Sequence, residues 1–122
     1  MNTSSAGKPF DLGRRLRGLR EEGILVIGSG FMTHSFAVMR NPALAGYTEA
    51  FDEWAADALR RGDVDALTDY RTKAPGAHIA HPTADHYVPL LLAPGAATDP
   101  STATSPIERM LWGNSIRSIR VN

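Results

Sequence analysis

The sequence has 122 residues, of which 43% are hydrophobic and 21% charged, values typical of one globular domain rather than of a disordered chain. Lysine and arginine together number 13, as do aspartate and glutamate, so a zero net charge argues against a nucleic-acid or anionic-membrane partner. Cysteine is absent, which excludes disulfides, thiolate metal ligands and a cysteine nucleophile.

The first residues carry no recognisable targeting segment. Residues 1–8 are small and polar without the apolar core of a secretory signal. No apolar run approaches the roughly 20 residues that span a bilayer. We therefore expect a cytoplasmic protein that makes no membrane contact, with a flexible N-terminus over residues 1–10 and a single α/β domain over residues 11–122.

Two elements near the start of the chain set the expected fold class. Leucines at helical spacing, separated by arginines, predict an amphipathic helix over residues 11–22 that Gly23 ends. The unbroken apolar run of residues 24–27, which Gly28 follows, predicts a buried strand of a sheet covered on both faces. A helix followed closely by such a strand makes α/β the expected class.

The middle of the chain is expected to be mostly helical. An apolar stripe predicts a helix over residues 47–61, and Asp63 is expected to cap a second, shorter helix. Proline and glycine residues predict a loop over residues 74–82. A short helix over residues 85–92 is expected next, with Thr83 as its cap.

The C-terminal part is expected to contain a loop and a hairpin. Residues 96–106 are small and polar, which predicts an exposed, flexible loop. Two apolar segments, residues 109–112 and 115–121, are expected to pair as strands around Gly113 and Asn114.

Histidines supply the candidate chemistry. His34 follows the glycine-rich end of the expected strand, where ligands and catalytic groups collect in open α/β sheets. His81 and His86, with Asp85 beside them, bring two imidazoles and a carboxylate within six residues, as metal and acid/base sites require. On a helix Asp85 and His86 would point in different directions, so they are not expected to bind one ion together. The alternative for each histidine is structural packing, and we expect His78 to be a surface residue.

Taken together, these segments resemble the class III extradiol ring-cleavage dioxygenases, and within them the DOPA 4,5-dioxygenase-like subgroup. The shared features are the Gly-Ser-Gly turn before His34, the His-Pro-Thr block of residues 81–90 and the Gly-Ala pair at Gly95, within about residues 12–97. The upstream Gly-His-Gly-Ser-Pro and Ser-Ala-His-Trp blocks of that family have no counterpart. The chain therefore resembles the second half of the family's domain.

The resemblance implies a partial central sheet flanked by helices, with an open edge and an uncovered apolar face, and completed by oligomerisation. It implies that His86 binds Fe(II) or Zn(II) and that His34 is the catalytic acid/base. A small aromatic molecule of the catechol type would be the substrate, and the expected substrate-binding residues are Ser29, His81 and Tyr87. One histidine cannot hold the metal tightly, so a companion chain or a second copy must supply the other ligands.

Three functions remain open from the sequence. The first is a metal-dependent ring-opening oxygenase that works as an oligomer or as part of a split enzyme. The second is a non-catalytic binding or interaction protein that keeps the fold and needs no cofactor; a change beside His34, where Ser-Phe-Ala replaces the family's Asn-Leu-Arg, accords with it. The third is a metal-free acid/base enzyme with a pocket formed by His34, His81 and His86.

Overall fold

The computed structural model of the chain describes residues 7–122. Helices dominate, with α1 to α7 at Gly7–Leu16, Phe36–Arg40, Ala45–Arg60, Val64–Thr68, Tyr70–Lys73, Ala77–Ala80 and Val88–Ala96. Three 3-10 turns cover Arg17–Glu22, Pro42–Leu44 and Pro100–Thr102, and strands β1 to β4 cover Thr104–Ile107, Met110–Leu111, Asn114–Ser115 and Ser118–Arg120. The α/β class is confirmed in a helix-rich form. Among the described helices, none has the length and apolar character needed to cross a bilayer.

Helix α1 lies directly against α7. The helix predicted over residues 11–22 is confirmed, since α1 continues into a 3-10 turn that ends at Gly23, whose left-handed φ of 76° suits glycine. At the α1–α7 contact Gly13 is buried, and a Cβ atom there would overlap the carbonyl oxygen of Leu92 and lie 2.9 Å from the backbone nitrogen of Ala96. The missing side chain therefore lets the two helix backbones approach closely. Of the predicted flexible N-terminus, only the part that begins α1 is described.

Residues 24–27 do not form the covered strand that their apolar sequence predicted. The segment pairs with no other strand in the part of the chain that the structure describes. Leu25 is 80% exposed and Ile27 is 74% exposed, so one face of the segment is uncovered. The prediction was wrong because an apolar run shows only that a segment can be buried. Whether it is buried depends on other segments that pack against it. The structure thus has the uncovered apolar face expected of half a sheet.

The helix predicted over residues 47–61 is confirmed as α3, which buries its apolar stripe. The predicted cap of the next helix is also present, because the carboxylate of Asp63 accepts a hydrogen bond from the backbone N–H of Ala66 at 2.9 Å. That second helix is interrupted, and α4 gives way to α5 at Tyr70. The two helices present Leu67 and Tyr70 to the core.

The region before α7 differs in detail from its prediction. The loop predicted over residues 74–82 contains the single-turn helix α6. Helix α7 begins at Val88 rather than at residue 85. Thr83 does not cap it, since the hydroxyl of Thr83 donates to the carboxylate of Asp85 at 3.2 Å. A local side-chain contact has replaced the expected cap.

The C-terminal strands form two antiparallel pairs. In the β2–β3 pair Leu111 lies opposite Asn114, so the turn consists of Trp112 and Gly113, whose φ angles are 50° and 77°. The predicted hairpin is confirmed only near its turn, which lies one residue earlier than expected, because residues 118–120 of the predicted second strand pair with β1 instead. Strand β1 pairs with β4, so the loop predicted over residues 96–106 includes a 3-10 turn and the start of a strand. Its flexibility stays a prediction.

A bidentate ion pair ties these strands to α3. The guanidinium of Arg117 donates to both carboxylate oxygens of Asp52, at 2.9 and 2.7 Å. The hydroxyl of Ser115 donates to the same carboxylate at 2.5 Å. Because the side chains of Arg117 and Asp52 are only 12% and 11% exposed, these added hydrogen bonds offset part of the cost of removing both charges from water.

Replacing Gly13 by alanine should destabilise the protein, because the new methyl group would overlap α7 backbone atoms that cannot rotate away. We expect a loss of about 1–3 kcal/mol in the free energy of unfolding, measured by urea denaturation. Gly18→Ala is the matched control, since a Cβ atom there meets nothing within 4 Å. Equal stabilities of the two variants would contradict the close α1–α7 contact.

Candidate active site

The imidazole rings of His34 and His86 lie against each other, although they come from distant parts of the sequence. Their centroids are 3.8 Å apart and their planes are 19° from parallel, which is a stacked geometry. Phe31 contacts both rings, with centroids 5.5 Å from His34 and 5.6 Å from His86, and Phe36 meets His34 edge-on at 5.0 Å. The structure thus brings together two histidines that the sequence analysis assigned to one site, and we call them the stacked pair.

Buried hydrogen bonds fix the backbone on both sides of His34. Its own N–H donates to the carbonyl oxygen of Ala80 at 2.8 Å. The N–H of Ser35 donates to the side-chain oxygen of Asn114 at 2.8 Å, and the side-chain nitrogen of Asn114 donates to the carbonyl of Ser35 at 3.0 Å. The hydroxyl of Thr33 donates to the same Asn114 oxygen at 3.2 Å. Asn114 therefore sets the direction in which the His34 side chain leaves the backbone.

Sequence reasoning missed Asn114 as a site residue. It stands beside Gly113 between two strand-like segments, and this pattern predicts a turn rather than a site residue. Its backbone partner Ser35 lies 79 residues earlier in the sequence. A local sequence pattern cannot indicate a contact between residues so far apart in the sequence. The available signal was an asparagine in a predicted hairpin, and asparagine at that place most often stabilises the turn.

His86 reaches the stacked pair from the segment that precedes α7. Its carbonyl oxygen accepts a hydrogen bond from the N–H of Phe31 at 3.2 Å. Gly30 lies so close to the same oxygen that a Cβ atom would overlap it. The Gly-Ser-Gly segment therefore allows the chain that leads to His34 to pass directly against the backbone of His86.

Burial holds the pKa of His34 below its ordinary value of 6.5, and the charge of protonated His86 lowers it further. The His34 imidazole is therefore neutral at neutral pH and able to accept a proton. Phe31 and Phe36, which are 38% and 59% exposed, place apolar surface around it. The site therefore places a neutral proton acceptor beside an exposed apolar surface.

His81 and Tyr87 lie in the core and not beside the stacked pair. Both are 0% exposed; Nε2 of His81 donates to the carbonyl oxygen of Met32 at 2.7 Å, and the hydroxyl of Tyr87 donates to that of Leu67 at 2.6 Å. The predicted substrate contacts are not supported, because buried side chains engaged by backbone carbonyls do not meet a ligand. The burial of His81 also argues against the three-histidine pocket of a metal-free enzyme.

The remaining candidates make no hydrogen bond to the stacked pair in the described structure. Ser29 is exposed and lines a groove, and no hydrogen bond in the described structure joins it to either ring. Asp85 is exposed and bonded to Thr83, and His78 is exposed as predicted. Across residues 7–122 no group of three or more His, Asp or Glu side chains is placed to hold a metal ion. The stacked pair is therefore part of a metal site at most.

Comparison with known proteins agrees with the features described above. The family described as the catalytic LigB subunit of aromatic ring-opening dioxygenase matches residues 1–114. A 4,5-DOPA dioxygenase extradiol of Beta vulgaris is 40% identical over 96 residues, which cover 77% of this chain and 36% of the relative. A protein of the same name in Escherichia coli strain K12 is 29% identical over 119 residues, which cover 92% of this chain and 44% of the relative.

A solved structure shares the fold. The crystal structure of an uncharacterized protein of Escherichia coli K12 matches with a TM-score of 0.82 at 26% identity, covering 99% of this chain and 52% of that chain. The chain thus spans less than half of the length of the curated relatives named above and about half of the solved structure. The described fold corresponds to a part of a longer domain in these proteins.

The free energy of unfolding should decrease as the pH falls from about 6.5 to about 4. Burial lowers the pKa of His81 to about 4 in the folded protein, whereas the unfolded chain takes up this proton near the ordinary value of 6.5. Between these values the unfolded state binds more protons, so stability falls by up to about 1.4 kcal/mol per pH unit.

Urea denaturation between pH 4 and pH 7 measures this slope. His81→Gln should flatten it, while His78→Gln, at an exposed histidine, should leave it unchanged. The same slope in the wild type and both variants would show that His81 is not a buried neutral group.

Proposed function

We propose that this chain, which belongs to the LigB family of catalytic subunits of aromatic ring-opening dioxygenases, contributes the stacked pair to a metal-dependent site that opens a catechol-type aromatic ring. The observation that carries the proposal is the stacking of His34 on His86 at 3.8 Å. These are the two histidines to which the resemblance assigns the acid/base and metal-ligand roles. Relatives of the chain bear the name 4,5-DOPA dioxygenase extradiol, which supports an aromatic diol as the substrate class.

The geometry of the stacked pair allows only one of its two histidines to bind a given metal ion. An imidazole nitrogen would bind Fe(II) or Zn(II) through a lone pair that lies in the plane of its ring. Because the planes of His34 and His86 are nearly parallel, one ion cannot lie in both. His86 would hold Fe(II) or Zn(II), and His34 would remain free for proton transfer. Since about three protein ligands are needed, the others would come from outside residues 7–122 or from another chain.

His34 would act as the acid/base. Its lowered pKa keeps the imidazole neutral at neutral pH, so it can take a proton from a catechol hydroxyl and later return it. Bound Fe(II) would supply the Lewis-acid and redox chemistry of ring opening, whereas bound Zn(II) would supply the Lewis-acid chemistry alone. Phe36, exposed and edge-on to His34, offers a surface on which an aromatic ring can pack. The hydrogen bonds of Asn114 would keep the imidazole oriented toward that ring.

A second candidate function is a binding protein that keeps the family fold without turnover. The absence of a complete set of metal ligands within the described residues favours it. Ser35 and Phe36, in place of the family's usual neighbours of the acid/base histidine, favour it as well. Metal uptake and turnover separate this function from the first.

Purified protein should take up Fe(II) or Zn(II), and His86→Ala should weaken metal binding by at least about tenfold, because it removes a nitrogen ligand. Isothermal titration with Zn(II), or metal analysis after dialysis, measures the change. His78→Ala, which removes an exposed histidine elsewhere, should bind metal like the wild type. Equal binding in all three proteins would eliminate His86 as a ligand.

Oxygen consumption with catechol should fall by about 10²–10⁴-fold in His34→Ala while metal content is unchanged, as expected for loss of an acid/base. In the active wild type the rate should rise as the pH increases through the lowered pKa of His34 and level off below about pH 6.5, where the base has become neutral. A wild-type protein that carries metal and consumes no oxygen with any catechol would favour the binding function.

A further inference from the structure

We propose that two copies of this chain associate through residues 24–27, each copy placing this segment in a groove of the other. The groove has a volume of about 1020 Å³ and lies between residues 24–30 and residues 116–122, with side chains of α7 such as Leu90 and Ala93 also lining it. One end of the groove reaches Phe31, which also contacts the stacked pair, but neither His34 nor His86 lines it. A groove bounded on two sides by extended chain is shaped to receive a further strand.

The segment offers an unpaired strand edge. In the described structure no backbone hydrogen bond joins residues 25–30 to any other part of the chain, although the N–H groups of Ile24 and Phe31 on either side are paired. Leu25 and Ile27, two residues apart, project from the same face of an extended chain and are the most exposed aliphatic side chains in the described structure. An apolar edge with free backbone groups is a template for pairing with another chain.

A two-fold axis through Val26 relates the two copies in this dimer. The same rotation that places the segment of one copy in the groove of the other also places the second segment in the first groove. Antiparallel pairing about this axis sets Leu25 of one copy opposite Ile27 of the other, so the uncovered side chains cover each other. Each segment then lies between the matching segment of the other copy and that copy's residues 116–122. The result is four adjacent extended segments packed over two α7 helices, with no edge of residues 24–27 left unpaired.

The charges around the groove favour a second copy in this orientation. Arginines 20 and 120 line the groove together with Arg117, whose charge is already paired with Asp52, and among the described lining residues none is an aspartate or glutamate. The entering segment is preceded directly by Glu21 and Glu22. Antiparallel pairing carries these carboxylates into the arginine-lined groove of the other copy, whereas parallel pairing would set Glu22 beside Glu22.

Sedimentation equilibrium of the whole chain tests the proposal. The wild type should have twice the chain mass of 13.2 kDa. Leu25→Glu should be a monomer with an unchanged circular dichroism spectrum, because its carboxylate would be buried between the paired segments. Leu12→Glu is the matched control: this leucine is 52% exposed on α1, outside the groove, and its variant should remain a dimer.

A cross-link tests the register. The chain has no cysteine, so Val26→Cys introduces a unique thiol at the two-fold axis, which should form a disulfide-linked dimer on oxidation. A folded wild-type monomer, or a Leu25→Glu variant that remains dimeric, would overturn the proposal. A Val26→Cys dimer that does not cross-link would overturn the axis at Val26. None of these measurements depends on metal or turnover, so they test association separately from the proposed function.

Discussion

The arrangement of the site depends on hydrogen bonds that hold the backbone around His34. Asn114, from the C-terminal hairpin, binds both the N–H and the carbonyl of Ser35, and Ala80 accepts the N–H of His34 itself. With the backbone fixed on both sides, the imidazole can leave the chain in only a few directions, and one of them is against His86. The hairpin that follows the family's shared motifs is therefore part of what builds the site.

The environment of the stacked pair differs between its two similar side chains, and the pKa of His34 is lowered. Two protonated imidazoles at this separation would repel each other, and burial adds to the penalty on charging His34. The proposed function calls for this combination, a neutral imidazole next to a histidine that would bind the metal. The glycine at position 30 contributes by removing the side chain that would hold His86 away. Ordinary packing and desolvation thus produce the proposed acid/base without any additional charged residue.

Local patterns predicted the helices α1 and α3 and the hairpin, because helical spacing and turn chemistry act over a few residues. The pairing of His34 with His86 came from resemblance, since their spacing in sequence carries no geometric information. Burial of His81 and Tyr87 could not be foreseen, because both occur in a motif rich in polar residues and each bonds a backbone carbonyl that is distant in the sequence. The prediction of a covered strand over residues 24–27 was wrong for a related reason. An apolar sequence shows that a segment can be buried, but it does not show whether another segment packs against it.

Nuclear Overhauser spectroscopy of the histidine ring protons tests the stacked pair most directly. The chain has four histidines, so His34→Gln and His86→Gln assign the two resonances. We expect a strong cross-peak between the rings in the wild type, given the 3.8 Å between their centroids, and its loss in Asn114→Ala. A folded wild-type protein without that cross-peak would contradict the account, because the two imidazoles would then not share a site.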